Sequence, residues 1–171
     1  MTRSIPGTSP ATEADLEALR DQLGRLPRGV VGIAARCACG RPTVVATAPR
    51  LEDSSPFPTT FYLTHPRAVK ACSTLEAERL MDEYNRALRE DRALAQAYAR
   101  AHEDYLVRRG LLGEVPEIAG VSAGGMPKRV KCLHALVGHA LAAGGGVNPI
   151  GDMALAEMAR RGLWSPARCS C

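Results

Sequence analysis

The sequence predicts an α+β fold: a small three-stranded antiparallel sheet packed against about five helices in a single domain. Three observations carry this expectation. Short runs rich in β-branched residues occur at 30–36, 43–47 and 59–63, punctuated by Gly and Pro. Longer Ala-, Leu- and Arg-rich stretches carry apolar residues at helical spacing. The chain has 171 residues, 46% of them hydrophobic, enough for one core without obligatory disulfides or metals. Three strands with an apolar face need a helical layer to cover them.

Residues 1–11 are rich in Pro, Gly, Ser and Thr and are expected to be loose. Thr12, with Asp15 three positions on, reads as a capping-box start. Leu16, Leu19, Leu23 and Leu26 then share a helical face, and Pro27 and Gly29 end it. The runs 30–36 and 43–47 form a hairpin with Cys37 and Cys39 at its tip, and 59–63 is the third strand. Pro66 suits a first helical position. Val69, Cys72, Leu80, Tyr84 and Leu88 recur at helical spacing, with a break near Glu90 and Asp91. Leu94, Ala97, Tyr98, Ala101 and Tyr105 give the next helix, ended by Gly110. Residues 111–126 are a loop. Pro127 is expected to open a helix that carries Cys132, His134 and His139 and stops at Gly144, Gly145 and Gly146. Asp152 is the expected cap of a last helix through Arg161. The single domain thus covers 12–163, and 164–171 is a frayed tail in which Cys169 and Cys171 are free or incidental.

Composition excludes several functions. No apolar run approaches the roughly 18 residues of a membrane span, and the first residues lack the apolar stretch of a secretory signal. The expectation is a cytoplasmic protein without a membrane partner. Net charge is +4, from 22 Lys+Arg and 18 Asp+Glu, and aromatics are 4%. Neither a basic stripe nor a base-stacking surface stands out, which disfavours nucleic acid. A small-molecule anion or a protein remains open as a partner. Six cysteines in a reducing compartment are core residues, reactive thiols or metal ligands rather than a disulfide framework.

Two constellations carry chemistry. The first is thiol and imidazole: Cys37 and Cys39 at the hairpin tip, His65 at a strand end, and Cys132, His134 and His139 on one helix. These are ligand types that zinc takes in groups of four. Cys37, His65, Cys132 and His139 are the expected ligands, with Cys39 and His134 as further candidates. The spacing is not that of a finger, since no second cysteine pair sits at a finger's interval. Taken alone, Cys37, Cys39 and Cys132 fit burial equally well, and Cys72 fits it better. His102 reads as a helix-surface residue. The second constellation is Gly124, Gly125, Lys128, Arg129 and Lys131. Glycines allow close backbone approach, a helix start favours an anion, and cations there need an anionic partner. The same field would populate a Cys132 thiolate. A solvated basic helix end is the plainer reading. Residues 56–60 read as a rigid loop, and Asp152 is more simply a cap than a metal ligand or base.

The runs RCACGRP (36–42), PFPTTFYLTHP (56–66), EIAGVSAGGMPKRVKCLH (117–134) and NPIGD (148–152) resemble a bacterial domain-of-unknown-function family, number 501, common in actinobacteria. The resemblance spans about residues 15–160. It implies no activity, cofactor or catalytic residue. It does imply a Cys near Cys37, a Lys-Cys-X-His run like 131–134, and in some members a Cys in place of His65. Such an exchange is of the kind a metal site tolerates.

Three functions fit these residues. The first is a metal-binding protein, with zinc the expected cofactor and an iron–sulfur cluster or no cofactor the alternatives. The second is a thiol-dependent enzyme or redox protein using Cys132, with His134 or His139 as base. The third is a non-catalytic helical interaction module presenting 67–109. The first is preferred; no carboxylate pair, Ser–His–Asp set or nucleotide fingerprint argues for a particular turnover.

Overall fold

The computed structural model describes residues 4–171. Its elements run α1 (Glu13–Leu23), β1 (Val30–Arg36), β2 (Pro42–Thr47), β3 (Phe61–Leu63), α2 (Pro66–Ala77), α3 (Leu80–Glu90), α4 (Arg92–Leu112), α5 (Leu133–Ala143) and α6 (Pro149–Arg160). The strands form one antiparallel sheet in the order β1-β2-β3. The fold is therefore α+β, with six α-helices among the described residues rather than about five.

Alternation along the strands sorts side chains to two faces. Ile33 pairs with Val45 and Val45 with Tyr62, and these meet Leu16 and Leu19 of α1. Val44, Ala46, Phe61 and Leu63 face the opposite way into the main core, with Leu133, Leu136 and Val137 of α5 and Leu75 of α2. Helices on both faces leave every residue of β2 buried.

α1 begins as expected. Thr12 Oγ1 accepts from the Asp15 N–H at 3.2 Å, and Asp15 Oδ2 accepts from the Thr12 N–H at 2.9 Å. Asp15 also pairs with Arg36 at the end of β1, at 2.6 Å. The Arg36 guanidinium holds the Asp15 carboxyl well below the usual carboxylate range; burial opposes this, and the Thr12 bonds reinforce it. A folded pKa below the unfolded value of about 3.9 stabilises the fold fully above that pH. The contribution is lost as pH falls through the folded pKa. Asp15→Asn is expected to cost about 1–2 kcal/mol at neutral pH. Urea midpoints of the two proteins should converge as pH drops below about 3.9.

Several expectations about boundaries are corrected. α2 and α3 are separate because Arg79 adopts a left-handed conformation, φ +64°. No Gly or Pro marks that break, so the apolar spacing reads straight through it. Pro127 does not open α5. The Met126–Pro127 bond is cis, and Val130 gives both its N–H and its carbonyl to the Asn85 side chain, at 2.7 and 2.9 Å. That pairing keeps the chain extended until Cys132, the N-cap residue of α5. Asn148, not Asp152, caps α6, accepting from the Gly151 N–H at 3.0 Å. Asp152 instead closes the glycine turn by accepting from the Gly146 N–H at 2.8 Å. His102 is buried and bonded to Ser122 at 2.7 Å.

Both ends of the described chain pack. The segment expected to be loose starts outside the described residues, but Ile5 is buried and Ser9 exchanges backbone bonds with Ile33 at 2.8 and 3.0 Å. After α6 the chain reverses at Gly162, φ +67°. Trp164 is then buried, and residues Pro166–Arg168 form a 3-10 turn. The Pro166 carbonyl accepts from the Ala38 N–H at 2.8 Å, which pins the tail to the hairpin tip instead of letting it fray.

Candidate metal centre

The pinned tail assembles a group of donors from three parts of the chain. Cys37 and Cys39 come from the β1–β2 turn, where Gly40, φ +84°, lets the Gly40 N–H reach the Cys37 carbonyl at 2.8 Å. His65 comes from the N-cap position of α2, directly before Pro66. Cys169 and Cys171 come from the tail. Cys37, His65 and Cys169 are buried, whereas Cys39 and Cys171 face solvent.

The distances are short. Cys37 Sγ lies 2.9 Å from Cys39 Sγ and 3.3 Å from Cys171 Sγ. Cys169 Sγ lies 3.3 Å from Cys171 Sγ and 3.2 Å from His65 Nε2. His65 Nε2 is 3.5 Å from Cys171 Sγ. Cys39 and Cys171 are joined by a disulfide. The donor atoms of Cys37, His65, Cys169 and Cys171 all lie within 4.8 Å of one another, so this group could hold a metal ion. A tetrahedral centre with zinc–sulfur bonds of about 2.3 Å sets its sulfurs about 3.8 Å apart. A few tenths of an ångström of widening would meet that requirement.

The electrostatics suit such an ion. Burial, then Arg67 and Arg41, push the His65 imidazole below its ordinary value and keep it neutral, as a ligand must be. Burial raises the Cys169 thiol, and Cys37 beside it adds to the shift. A divalent cation would reverse that balance by stabilising the thiolates. With the Cys39–Cys171 bond reduced, three thiolates and one imidazole around a 2+ ion carry a net negative charge, and Arg41 and Arg67 face it. Trp164 covers the imidazole, with ring centroids 5.5 Å apart.

Of the four expected ligands, the structure brings two together and sets two apart. Cys37 and His65 meet. Cys132 joins a different group, with Glu76 and His134. His139 is fully buried in the core between Phe61 and Tyr105. Its Nε2 donates to Asp104 Oδ2 at 2.8 Å, and its Nδ1 accepts from the Asn148 amide at 3.1 Å. Both ring nitrogens are spent on the scaffold, and burial, against the pull of Asp104, keeps this ring neutral. Cys132 and His139 separate because α5 starts six residues later than expected and turns His139 toward α4. Of the further candidates, Cys39 lies beside the first group, bonded to Cys171 and 2.9 Å from Cys37 Sγ, and His134 lies in the second. Cys169 and Cys171 escaped sequence reasoning, although their Cys-X-Cys spacing repeats that of Cys37 and Cys39.

The carbonyls of the glycine-rich segment are bonded within it. The Gly124 carbonyl accepts from Lys131, and the Gly125 carbonyl from Lys128 and Arg129, at 2.7–3.2 Å. Lys128, Arg129 and Lys131 are exposed. At the start of α5 the Leu133 N–H donates to Glu76 Oε1 at 2.7 Å, so a carboxylate of the protein itself meets that helix end.

A three-stranded sheet clad in helices, with thiols and an imidazole gathered beneath its terminal segment, defines a small α+β protein with a Cys/His group fit for a metal. The chain belongs to the DUF501 family, described as a protein of unknown function, whose profile matches residues 33–156. The matched stretch holds Cys37, His65, Glu76, Cys132 and His134 and ends before Cys169 and Cys171. No curated protein and no solved structure matches the chain. Among the described residues, no helix is long and apolar enough to cross a membrane.

Proposed function

We propose that the protein is a zinc-binding protein of the cytoplasm whose metal fastens the terminal segment to the β1–β2 hairpin. One observation carries this reading: two Cys-X-Cys pairs and a buried neutral histidine, far apart in sequence, converge with donor atoms 2.9–3.5 Å apart. Cys37, His65 and Cys169 are the buried ligands, and Cys171 or Cys39 supplies the fourth. A site closed by four protein donors is structural rather than hydrolytic, because it keeps no open position for water. The thiol and imidazole donors select zinc over magnesium or calcium, which take oxygen.

A second reading rests on the Cys39–Cys171 bond: the fastening is then a disulfide, with Cys37 and Cys169 as neighbouring thiols. Elemental analysis of untagged protein purified anaerobically without added reductant, with a parallel thiol titration, separates the two. About one zinc per chain, lost in both Cys37→Ser and Cys169→Ser, is the expected result. No metal, with two thiols missing from the titration until reductant is added, would replace the metal reading with the disulfide. Iron with visible absorption would replace zinc by a cluster.

A further inference from the structure

Glu76, Cys132 and His134 form a separate group, at the junction of α2 and α5. Cys132 Sγ lies 4.0 Å from His134 Nδ1, which lies 3.2 Å from Glu76 Oε1. On the other side of the ring, His134 Nε2 lies 3.3 Å from Ser73 Oγ. Ser73 spends its own hydroxyl proton on the Val69 carbonyl at 3.1 Å, so toward His134 its oxygen accepts. Both ring nitrogens therefore face acceptors, which favours the doubly protonated imidazolium. A cation there favours the thiolate beside it.

Three elements set titratable groups around Cys132. From α2 the titratable side chains are Glu76 and Cys72; from α5, His134; from β3, Tyr62. Burial, with Glu76 adding to it, pushes the Cys72 thiol far up, so it stays protonated and does not compete. Burial raises Cys132 and the Glu76 carboxylate adds to the rise, but the His134 bond and the Ala135 N–H outweigh both and hold this thiol below its ordinary value. The Cys132 pairing raises His134, burial opposes the rise, and Glu76 reinforces it.

The thiol opens on a cleft of about 280 Å³. Besides Cys132 and His134, its walls include Leu23, Phe61, Leu63 and Val69. Ligand clefts run about 300–1,000 Å³, so this one suits a short apolar group.

We propose that Cys132 is a nucleophile that accepts a short apolar acyl group from a thioester or activated ester, with His134 as its proton partner and Glu76 as a positioning residue. The thiolate attacks the acyl carbon and forms a C–S bond, while the carbonyl π pair moves onto oxygen. As the carbonyl re-forms, the bond to the leaving group breaks. The leaving group departs with that electron pair and takes the proton from the His134 imidazolium. The products are S-acyl-Cys132, neutral His134 and the protonated leaving group. Water attacking the thioester, with its proton passing to His134, releases the carboxylic acid and restores the pair.

The test uses the full-length protein with p-nitrophenyl hexanoate and p-nitrophenyl acetate. The expected result is a burst of one nitrophenolate per chain and a hexanoyl adduct mapped to Cys132 by peptide mass. The hexanoyl ester is expected to react about tenfold faster than the acetyl ester, beyond their chemical difference with a small free thiol. Cys132→Ala abolishes the burst, and His134→Gln slows it at least about tenfold at neutral pH. Cys132 alkylation by iodoacetamide has a pH midpoint below that of a free thiol, and Glu76→Gln moves the His134 ring-proton titration, followed by NMR, downward, a change that loss of packing alone would not produce. Circular dichroism checks that each variant folds, and the adduct map on the unmodified sequence needs no variant. Chelator treatment leaves the burst in place, which separates this site from the metal centre. An adduct on another cysteine, no chain-length preference, or an alkylation midpoint at the free-thiol value of about 8.5 would each overturn the proposal. So would a second bound zinc lost in both Glu76→Gln and His134→Gln.

Discussion

Gly151→Ala is expected to lower the unfolding free energy by about 3 kcal/mol and the melting temperature by about 6–12 °C. Gly151 lies in the first turn of α6, where that helix crosses α5. A Cβ at this position would press on the Leu136 carbonyl and stand 2.6 Å from the Ala140 Cβ. Both neighbours belong to the backbone or its first carbon, so neither can swing aside. Alanine's helix propensity returns only about 1 kcal/mol, and the crowding prevails. Gly145→Ala is the control, because nothing lies within 4 Å of a Cβ there. Thermal unfolding followed by circular dichroism should show a loss for the first and almost no change for the second.

Removing the proposed zinc is expected to have an effect at least as large, concentrated at one end of the chain. Structural zinc contributes on the order of 10 kcal/mol in small zinc folds. Here a helical core of Leu, Ile and Tyr side chains remains without it, so a chelator should release the tail rather than unfold the whole. The expected result is rapid trypsin cleavage at Arg161 and Arg168 in chelated protein, with slow cleavage elsewhere. Re-added zinc restores protection. Equal cleavage with and without chelator would mean that the Cys39–Cys171 bond, the Ala38–Pro166 bond and the buried Trp164 hold the tail without a metal.

The strands were legible because β-branched runs between glycines and prolines have few other uses. The start of α1 was legible because Thr12 and Asp15 satisfy each other locally. Local rules failed where distant side chains decide the backbone. Asn85 holds Val130 extended and delays α5, and Arg79 breaks a helix with no breaker residue. The candidate site divides along the same line. Cys37, Cys39 and His65 sit at turns whose neighbours announce them. Cys132 and His139 seemed to belong with them because sequence spacing cannot tell which side of a sheet a helix will present. Cys169 and Cys171 were hidden by the Pro, Ser and Arg residues around them, which read as a loose end.

The two ends of the Cys39–Cys171 span are 132 residues apart. Whichever bond fastens them, metal or disulfide, turns about three-quarters of the chain into a ring. A ring has fewer shapes to adopt once unfolded, and closing one this long removes about 4–5 kcal/mol of that freedom in the chain-entropy view. It also changes what a single cut means. A nick in the exposed Gly144–Gly145–Gly146 turn opens a linear chain into two pieces, but in the ring α6 stays tethered to the hairpin through the cysteines and histidine beneath it. Damage to one loop then leaves the halves at high local concentration, positioned to close again on the same core.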